Sequence, residues 1–505
     1  MRRALGFVVL SGSLAAPLAA QAQTPADTTS TLDGHRRARA AVERGLAALG
    51  LPAGGAGPRT LLLRYEGELV HRNQSRRPAP PWERTPTSGR LAMDYAGGRV
   101  AHESRFSYPG GFDNHQEAVS DGREAWILNH GVGTVAPRQQ AALATFQPLL
   151  QRVPQGWLHA ALERRATLRD GGTAAWRGRP HRRVHWATAT GQAVTLWLDE
   201  GSGLLSKVET LGGDAAAGDA VTETIFPGYR AAGRLQVPTG RVVVVAGDTT
   251  VDTRYPTVEP DAPLPDSLFR PRAGHRPDPP GPPREPTLRT MSPGVHLLHG
   301  LQGQTSLVVE LGDSLLVVDA YGDDATSRAA LAKLAEALPG KRVRWIAVTH
   351  HHDDHAGGVR GYVDAGAALV TTEGNRAYFT RVLAAPRTLD PVLDTLKRAE
   401  PRPIETFRGR RVFRAGGRTV ELPDIGPNPH VDEMVVAWLP AAKLVFQGDL
   451  FNPGWDDPTR AGNATTAYFA EWLRRARLPA ETVAGVHGPV VTRAQFEEGA
   501  GKAHP

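Results

Sequence analysis

The chain has 505 residues, a formal net charge of +7 and 40% hydrophobic residues, which fits two large folded domains and excludes general disorder. Its basic residues are almost all Arg, spread without a dense block interleaved with aromatics, so nucleic acid is not an expected partner. Cysteine is absent, which excludes disulfides, thiol nucleophiles and thiolate ligands and leaves any metal to His, Asp and Glu.

Taken in order, the chain opens with Arg2 and Arg3, an apolar stretch at 4–18 and Ala20-Gln21-Ala22. This is the plan of a cleaved signal peptide over 1–22. The apolar stretch is shorter than the ~20 residues a membrane span needs. Export to the periplasm or the extracellular space is expected, with no transmembrane segment after cleavage.

Residues 32–51, with Val42, Leu46 and Leu49 on one stripe, predict a helix. From Thr60 the pattern changes to alternation: Leu61, Leu63, Tyr65 and Leu69 against Arg64, Glu66 and Glu68, a half-buried strand. Residues 76–86 read as a Pro/Arg-rich loop. Strands are expected at 91–95, 100–108, 117–120, 124–128, 181–187, 193–199, 204–211, 222–229 and 241–246, separated by Gly-Gly, Pro-Gly-Gly and Asp-Gly turns. Helices are expected at 137–151 and 155–165. Nine histidines (His35, His71, His102, His115, His130, His159, His181, His185 and His275) lack ligand spacing and read as structural or surface residues.

This outlines an antiparallel β-rich domain of the α+β class over 23–271. The runs Trp197-Leu-Asp-Glu-Gly-Ser-Gly-Leu-Leu-Ser-Lys-Val, Phe226-Pro-Gly-Tyr-Arg, Val237-Pro-Thr-Gly and Pro265-Asp-Ser-Leu-Phe give it a pattern that resembles the half-barrel of periplasmic lipoprotein carriers of the LolA/LolB group. The resemblance implies a concave apolar face for an acyl chain, and so a lipid or protein partner.

The proline-dense stretch within 272–288 favours extended conformation and reads as an interdomain linker. A second domain, 289–498, is followed by a tail, 499–505. In it, strands are expected at 295–299, 306–310, 315–319 and 343–348, with a helix capped by Asp323 or Asp324 and running to Leu338. A helical insertion broken by Pro386 and Pro391 spans 375–398. Further strands are expected at 411–413, 419–422, 434–439, 444–447 and 482–486, with helices at 466–475 and near Thr492. His296 and His299 read as strand-edge residues.

The chemistry concentrates in Thr349-His-His-His-Asp-Asp-His-Ala-Gly-Gly, directly after the 343–348 strand. His350, His352 and Asp354 fall on one alternate register, and His355 follows where the chain turns into a helix. Each pair, His350 with His352 and Asp354 with His355, is too small a set for a catalytic metal, which takes three protein ligands and an open position. His430, Asp449 and His487 stand alone on small-residue turns after apolar runs and supply the shortfall. His351 and Asp353 point the other way.

His350-x-His352-x-Asp354-His355, followed in order by His430, Asp449 and His487, resembles the signature of the metallo-β-lactamase fold superfamily, from about Met291 to Glu498. The resemblance implies a four-layer αβ/βα sandwich with two metals at one edge of its sheets, most simply Zn2+, with Fe or Mn as substitutes. His350, His352 and His430 would hold one metal and Asp354, His355 and His487 the other, with Asp449 bridging. Asp319 would support the metal loop from behind. The implied activity is a hydrolase in which a metal-bridging hydroxide attacks an ester, thioester, lactone or related bond of a small-molecule substrate, with Asp354 orienting it or moving its proton. Tyr378, Phe379, Phe451, Asn452, Trp455 and Tyr468 are the candidate pocket walls.

Three alternatives stay open: an iron-dependent sulfur dioxygenase of the same fold, a β-lactamase, and a lipid- or lipoprotein-binding module. In the family, lactamases use a cysteine ligand or lack the bridging carboxylate, so the Gly448-Asp449-Leu450 form points toward glyoxalase II, lactonase and phosphodiesterase members instead.

Overall fold

The computed structural model describes residues 30–51, 57–138, 149–278, 285–390 and 404–503. The helix Ser30–Ala48 comes first. Its apolar stripe, Ala38, Ala41, Val42 and Leu46, is buried with Leu49 in the N-terminal core, as the 3.6-residue period requires. Gly45 lets the helix approach closely, since a Cβ there would stand 2.9 Å from Leu198.

Among the described residues, the N-terminal part is built on a fourteen-stranded sheet. From one edge it runs Arg169–Trp176, Arg179–Ala187, Ala193–Asp199, Leu205–Asp214, Gly218–Ile225, Gly240–Val245 and Asp248–Pro260. It continues with Thr60–Val70, Arg84–Asp94, Arg99–Tyr108, Phe112–Ser120, Ala125–Asn129, Thr134–Arg138 and Arg276–Pro277. Two meanders are thus joined where Thr60–Val70 pairs antiparallel with Asp248–Pro260. Only the last pair, Arg276–Pro277 with Thr134–Arg138, is parallel.

Several expectations change here, and Arg169–Trp176 and Leu235–Pro238 are further strands beyond those expected. The 137–151 helix begins in a strand, because Thr134–Arg138 pairs with Ala125–Asn129; residues 139–148 lie outside the described residues. The loop expected at 76–86 ends earlier: Arg84, Thr85 and Pro86 pair with Val70, Leu69 and Glu68, a register that tolerates a proline. The strand expected at 222–229 stops at Ile225, and Tyr229 opens a separate hairpin with Leu235–Pro238. Asp248–Pro260 was not expected as a strand. Its residues alternate Asp, Thr, Arg and Glu with Val251, Tyr255 and Val258, and pairing on both sides compensates for weak intrinsic patterning.

The C-terminal part has two sheets. The first orders Thr287–Ser292, Val295–Leu301, Gln304–Leu311, Ser314–Val318, Arg342–Ala347, Ala368–Thr372 and Ile404–Phe407, antiparallel to Ser314–Val318 and parallel beyond it. The second orders Arg410–Ala415, Arg418–Pro423, Ala437–Leu439, Leu444–Gln447, Thr482–Gly485 and Val491–Thr492. One apolar cluster draws Leu297, Leu307, Leu316 and Val318 from the first sheet and Val420, Leu422, Ala437 and Phe446 from the second. Alternate residues of the first sheet, such as Leu298, Val308 and Val317, pack with Leu334, Tyr362 and Phe379 of the helices Asp324–Ala337, Val359–Asp364 and Arg376–Ala384. Residues of the second pack with Phe469 and Phe496 of Ala464–Arg475 and Arg493–Gly501.

Asp323 caps its helix as expected, accepting from the Thr326 amide. Of the expected 375–398 insertion, Arg376–Ala384 is helical and 391–403 lies outside the described residues. The strand expected at 434–439 shortens to Ala437–Leu439. His296 and His299 are not edge residues: Val295–Leu301 pairs on both sides, and the rings bond Thr290 and Glu310, and Thr305.

The two parts touch along polar seams. Arg387 donates to the carbonyls of Asp214 and Ala215, Asp219 accepts from Thr388, and the Asp219 amide donates to the Pro386 carbonyl at 2.7 Å. Gly218, at φ +72°, is required in this turn because a Cβ would stand 1.9 Å from that same carbonyl.

Candidate metal centre

The strands Ser314–Val318, Arg342–Ala347, Leu444–Gln447 and Thr482–Gly485 each end in a loop carrying site residues: Asp319, the 349–355 run, Asp449 and His487. Parallel strands place such loops together at their carboxyl ends.

Asp319 organises the first loop. It is fully buried, at φ +69°, a left-handed conformation that Asp tolerates better than most residues. Its Oδ1 accepts from the Thr349 amide at 2.6 Å and its Oδ2 from the Thr349 hydroxyl at 2.8 Å. That hydroxyl has spent its proton, so the contact at 3.1 Å from His350 Nδ1 is an N–H donation. His355 Nδ1 donates to Asp319 Oδ2 at 3.0 Å. His352 Nε2 donates to the carbonyl of Ser75 at 2.9 Å. Nδ1 of His350 and His355 and Nε2 of His352 are thereby committed to these acceptors, which turns the opposite nitrogen of each ring toward the centre.

Those free nitrogens converge. His350, His352, His430 and Asp449 form one group whose ligand atoms lie within 4.8 Å of one another, and Asp354, His355, Asp449 and His487 form another. Asp449 belongs to both. His430 Nε2 stands 3.2 Å from His350 Nε2 and 3.3 Å from Asp449 Oδ2. His355 Nε2 and His487 Nε2 stand 3.1 and 2.9 Å from Asp449 Oδ1.

His352 Nδ1, His355 Nε2 and Asp449 Oδ1 are buried without a hydrogen-bond partner. Orphaned buried polar atoms are costly, and their convergence fits cations held between them. An all-imidazole and carboxylate donor set suits zinc and neighbouring first-row ions.

The electrostatics divide the imidazoles into two pairs. Burial, and then the neighbouring imidazoles, push His350 and His352 well below the ordinary His range, so they are neutral and ready to ligate. Burial also works against the charged forms of His355 and His487, but the Asp449 and Asp354 carboxylates overcome it, raising His355 well above its ordinary value and His487 to about 9. Burial works against ionised Asp449 too, and is outweighed by His355 and His487, so its pKa falls well below the ordinary carboxylate value.

The N-terminal part takes part in the centre through residues that carry no sequence signal. Besides the Ser75 carbonyl, Gln74 Nε2 donates to Asp353 Oδ1 at 2.5 Å and Asp354 Oδ1 at 2.8 Å. The Asp353 amide donates to the Asn73 carbonyl at 3.3 Å, and the Asp432 amide to that of Arg76 at 3.0 Å. From the turn between Arg99–Tyr108 and Phe112–Ser120, Phe112 meets the His430 ring edge-on at 5.3 Å. A Cβ on Gly110 would stand 2.9 Å from His430 Nδ1.

The structure thus brings together His350, His352, Asp354, His355, His430, Asp449 and His487, with Asp319 directly behind. His351 and Asp353 stay outside both groups. The candidate pocket walls separate. Phe379 and Phe451 belong to the apolar cores, because their neighbours are the buried faces of helices. Tyr468 is half-buried and donates to the Ile425 carbonyl. Asn452 and Trp455 are exposed. Tyr378 is buried but lines a cleft of about 420 Å3 between the two parts, with Asn73, Pro78, Trp82, Asp248 and Arg381.

Residues 299–487 match the family model described as "Metallo-beta-lactamase superfamily". The match puts a metallo-beta-lactamase superfamily domain at 299–487. A curated relative, "Metallo-beta-lactamase type 2" of Elizabethkingia meningoseptica, is 29% identical over 135 residues, covering 27% of this chain and 47% of the relative. The chain therefore spans about half the length of that relative. Among solved structures, a metallo-beta-lactamase from Pontibacter korlensis is 21% identical with a TM-score of 0.32, covering 43% of this chain and 98% of that one. FIM-1 from Pseudomonas aeruginosa, in a mono-zinc form, is 23% identical with a TM-score of 0.32, covering 43% and 94%. The family match lies in the C-terminal part of the chain, after the fourteen-stranded sheet.

Proposed function

We propose that the chain is an exported, metal-dependent hydrolase acting on an ester, thioester, lactone or related bond of a small molecule. The single observation that carries this is Asp449, shared between two groups of ligand-type residues. We read the paired sheets with helices on their outer faces as the four-layer αβ/βα sandwich of the superfamily. His350, His352 and His430 would hold one divalent cation and Asp354, His355 and His487 the other, with Asp449 reaching both. Such a pair supplies Lewis acidity at the substrate oxygen and a low-pKa water.

The chain's own residues do the rest. Asp319 and Thr349 hold the imidazoles of His350 and His355 in ligating form. Asp354, whose Oδ1 accepts a hydrogen bond from Gln74 Nε2 while Oδ2 faces His355 and His487 at 3.5 Å, is placed to orient the attacking water. The cleft lined by Asn73, Trp82 and Tyr378 is taken as the substrate side because Asn73 also accepts from the Asp353 amide, next to Asp354 in the metal loop. Export rests on the Arg2-Arg3 and 4–22 pattern.

The test is a substrate panel of thioester, lactone, β-lactam and phosphodiester, with metal content measured on the same protein. Turnover of a carbonyl ester-type substrate, lost in His352→Ala, is expected with two zinc-class ions per chain. One iron per chain without hydrolysis would sink the reading. A β-lactam as the best substrate would favour the second reading, which the 29% identical relative supports.

A further inference from the structure

The N-terminal sheet contains a cavity of about 200 Å3 that the metal centre does not use. Its floor is built by strand alternation: His102, Ser104 and Phe106 from one strand, and Val251, Thr253 and Tyr255 from another, share its face. Leu63 and Tyr65 come from the strand Thr60–Val70. Two guanidiniums enter it, those of Arg152 and Arg241.

Among the described residues, these cations meet no carboxylate in the cavity lining. Neither forms an ion pair among the described residues, and Arg241 Nε is buried with no hydrogen-bond partner. The carboxylate of Glu103 lies on a neighbouring strand position and is committed elsewhere, to Arg90 at 3.4 Å, Arg105 at 3.5 Å and His115 at 3.0 Å. The other polar groups around the guanidiniums are neutral. Tyr65 bonds His102 through its hydroxyl at 3.0 Å, and Tyr255 donates to the Arg152 carbonyl at 3.3 Å.

Burial, and then the adjacent Arg152, depress Arg241 to about 10, so it remains a cation at neutral pH. Burial drives His102 well below its ordinary value, so it adds no charge. A pair of like charges in a low-dielectric cavity is disfavoured unless an anion joins them.

We propose that this cavity binds an organic carboxylate with a short apolar body, its head between Arg152 and Arg241 and its tail against Leu63, Leu69 and Val251. The guanidinium fork matches a planar two-oxygen acceptor. The volume is below the ~300 Å3 at which pockets for drug-sized ligands begin, which limits the ligand to a small acid. The site is separate from the catalytic reading and stands whether or not that reading holds.

The experiment is calorimetric titration of the full chain with hexanoate, with 1-hexanol and inorganic phosphate as the uncharged and bodiless comparisons. Hexanoate is expected to bind with a dissociation constant at least tenfold below that of either comparison. Arg152→Gln and Arg241→Gln are each expected to weaken it at least tenfold. Arg241→Lys, which keeps the charge but not the fork, should weaken it at least threefold and serves where a Gln variant does not fold. Binding lost in His352→Ala and retained in Arg241→Gln would place the acid at the metal centre and overturn the proposal. So would absent binding, hexanol binding as tightly as hexanoate, or phosphate doing so.

Discussion

Asp319 contributes no ligand atom, yet it fixes the Thr349 hydroxyl and through it His350, and it fixes His355 directly. Asp319→Asn keeps the shape but replaces one acceptor oxygen with a donor. Metal affinity is expected to fall about 10–100-fold, the usual cost of losing a partner behind a ligand, measured by competition with a chromophoric chelator. Gly110 is a sharper case, since it lies in the other domain. At φ +93°, with His430 Nδ1 2.9 Å from where its Cβ would be, Gly110→Ala must shift the hairpin tip or the ligand. Reduced metal content with unchanged far-UV dichroism is the expected result; full occupancy would mean that the turn simply moves away.

At the scale of elements, the segment between Thr60–Val70 and Arg84–Asp94 reaches the metal centre and is anchored at its start by His71. The Thr85 hydroxyl donates to the Ser107 carbonyl and accepts from His71 Nε2 at 2.6 Å. Burial, opposed by the Ser107 carbonyl, lowers His71 to about 4. The folded value lies below the ordinary 6.5, so the unfolded chain takes up a proton that the native state refuses. His71's contribution to stability is therefore complete above pH 6.5 and declines as pH falls toward 4. Urea midpoints across that window should drop more steeply for the parent chain than for His71→Gln. In the C-terminal domain, Phe446 is fully buried between the two sheets, and Phe446→Ala is expected to cost about 3–5 kcal/mol, read from the same unfolding curves.

For the whole molecule, the contacts from Asn73, Gln74, Ser75 and Arg76 couple the N-terminal part to the metal loop. Metal held at the centre stabilises the native state by mass action, about 2.7 kcal/mol at a hundredfold excess over the dissociation constant. Chelation should therefore lower the melting temperature and also speed amide exchange at 73–76, far from any ligand in sequence. Unchanged exchange there would show that the two parts are energetically independent.

The convergence of these His and Asp side chains was readable from one stretch and three isolated residues, because the 349–355 run, Asp449 and His487 each follow closely on an apolar strand. The two-part division and most strands were readable too, since their alternation is local. The sequence by itself therefore determined which side chains would converge and that the chain has two β-rich parts. Only the tertiary structure decided how those atoms are held and what faces them. The pairing of Thr60–Val70 with Asp248–Pro260 closes a loop of nearly two hundred residues, as its register shows, and no local pattern encodes such a partner. The Ser75 contact to His352 is made by a backbone carbonyl, which every residue possesses, so no choice of side chain could announce it. The cavity around Arg152 and Arg241 depends likewise on distant strands meeting, because the approach of two guanidiniums is a property of the assembled site alone.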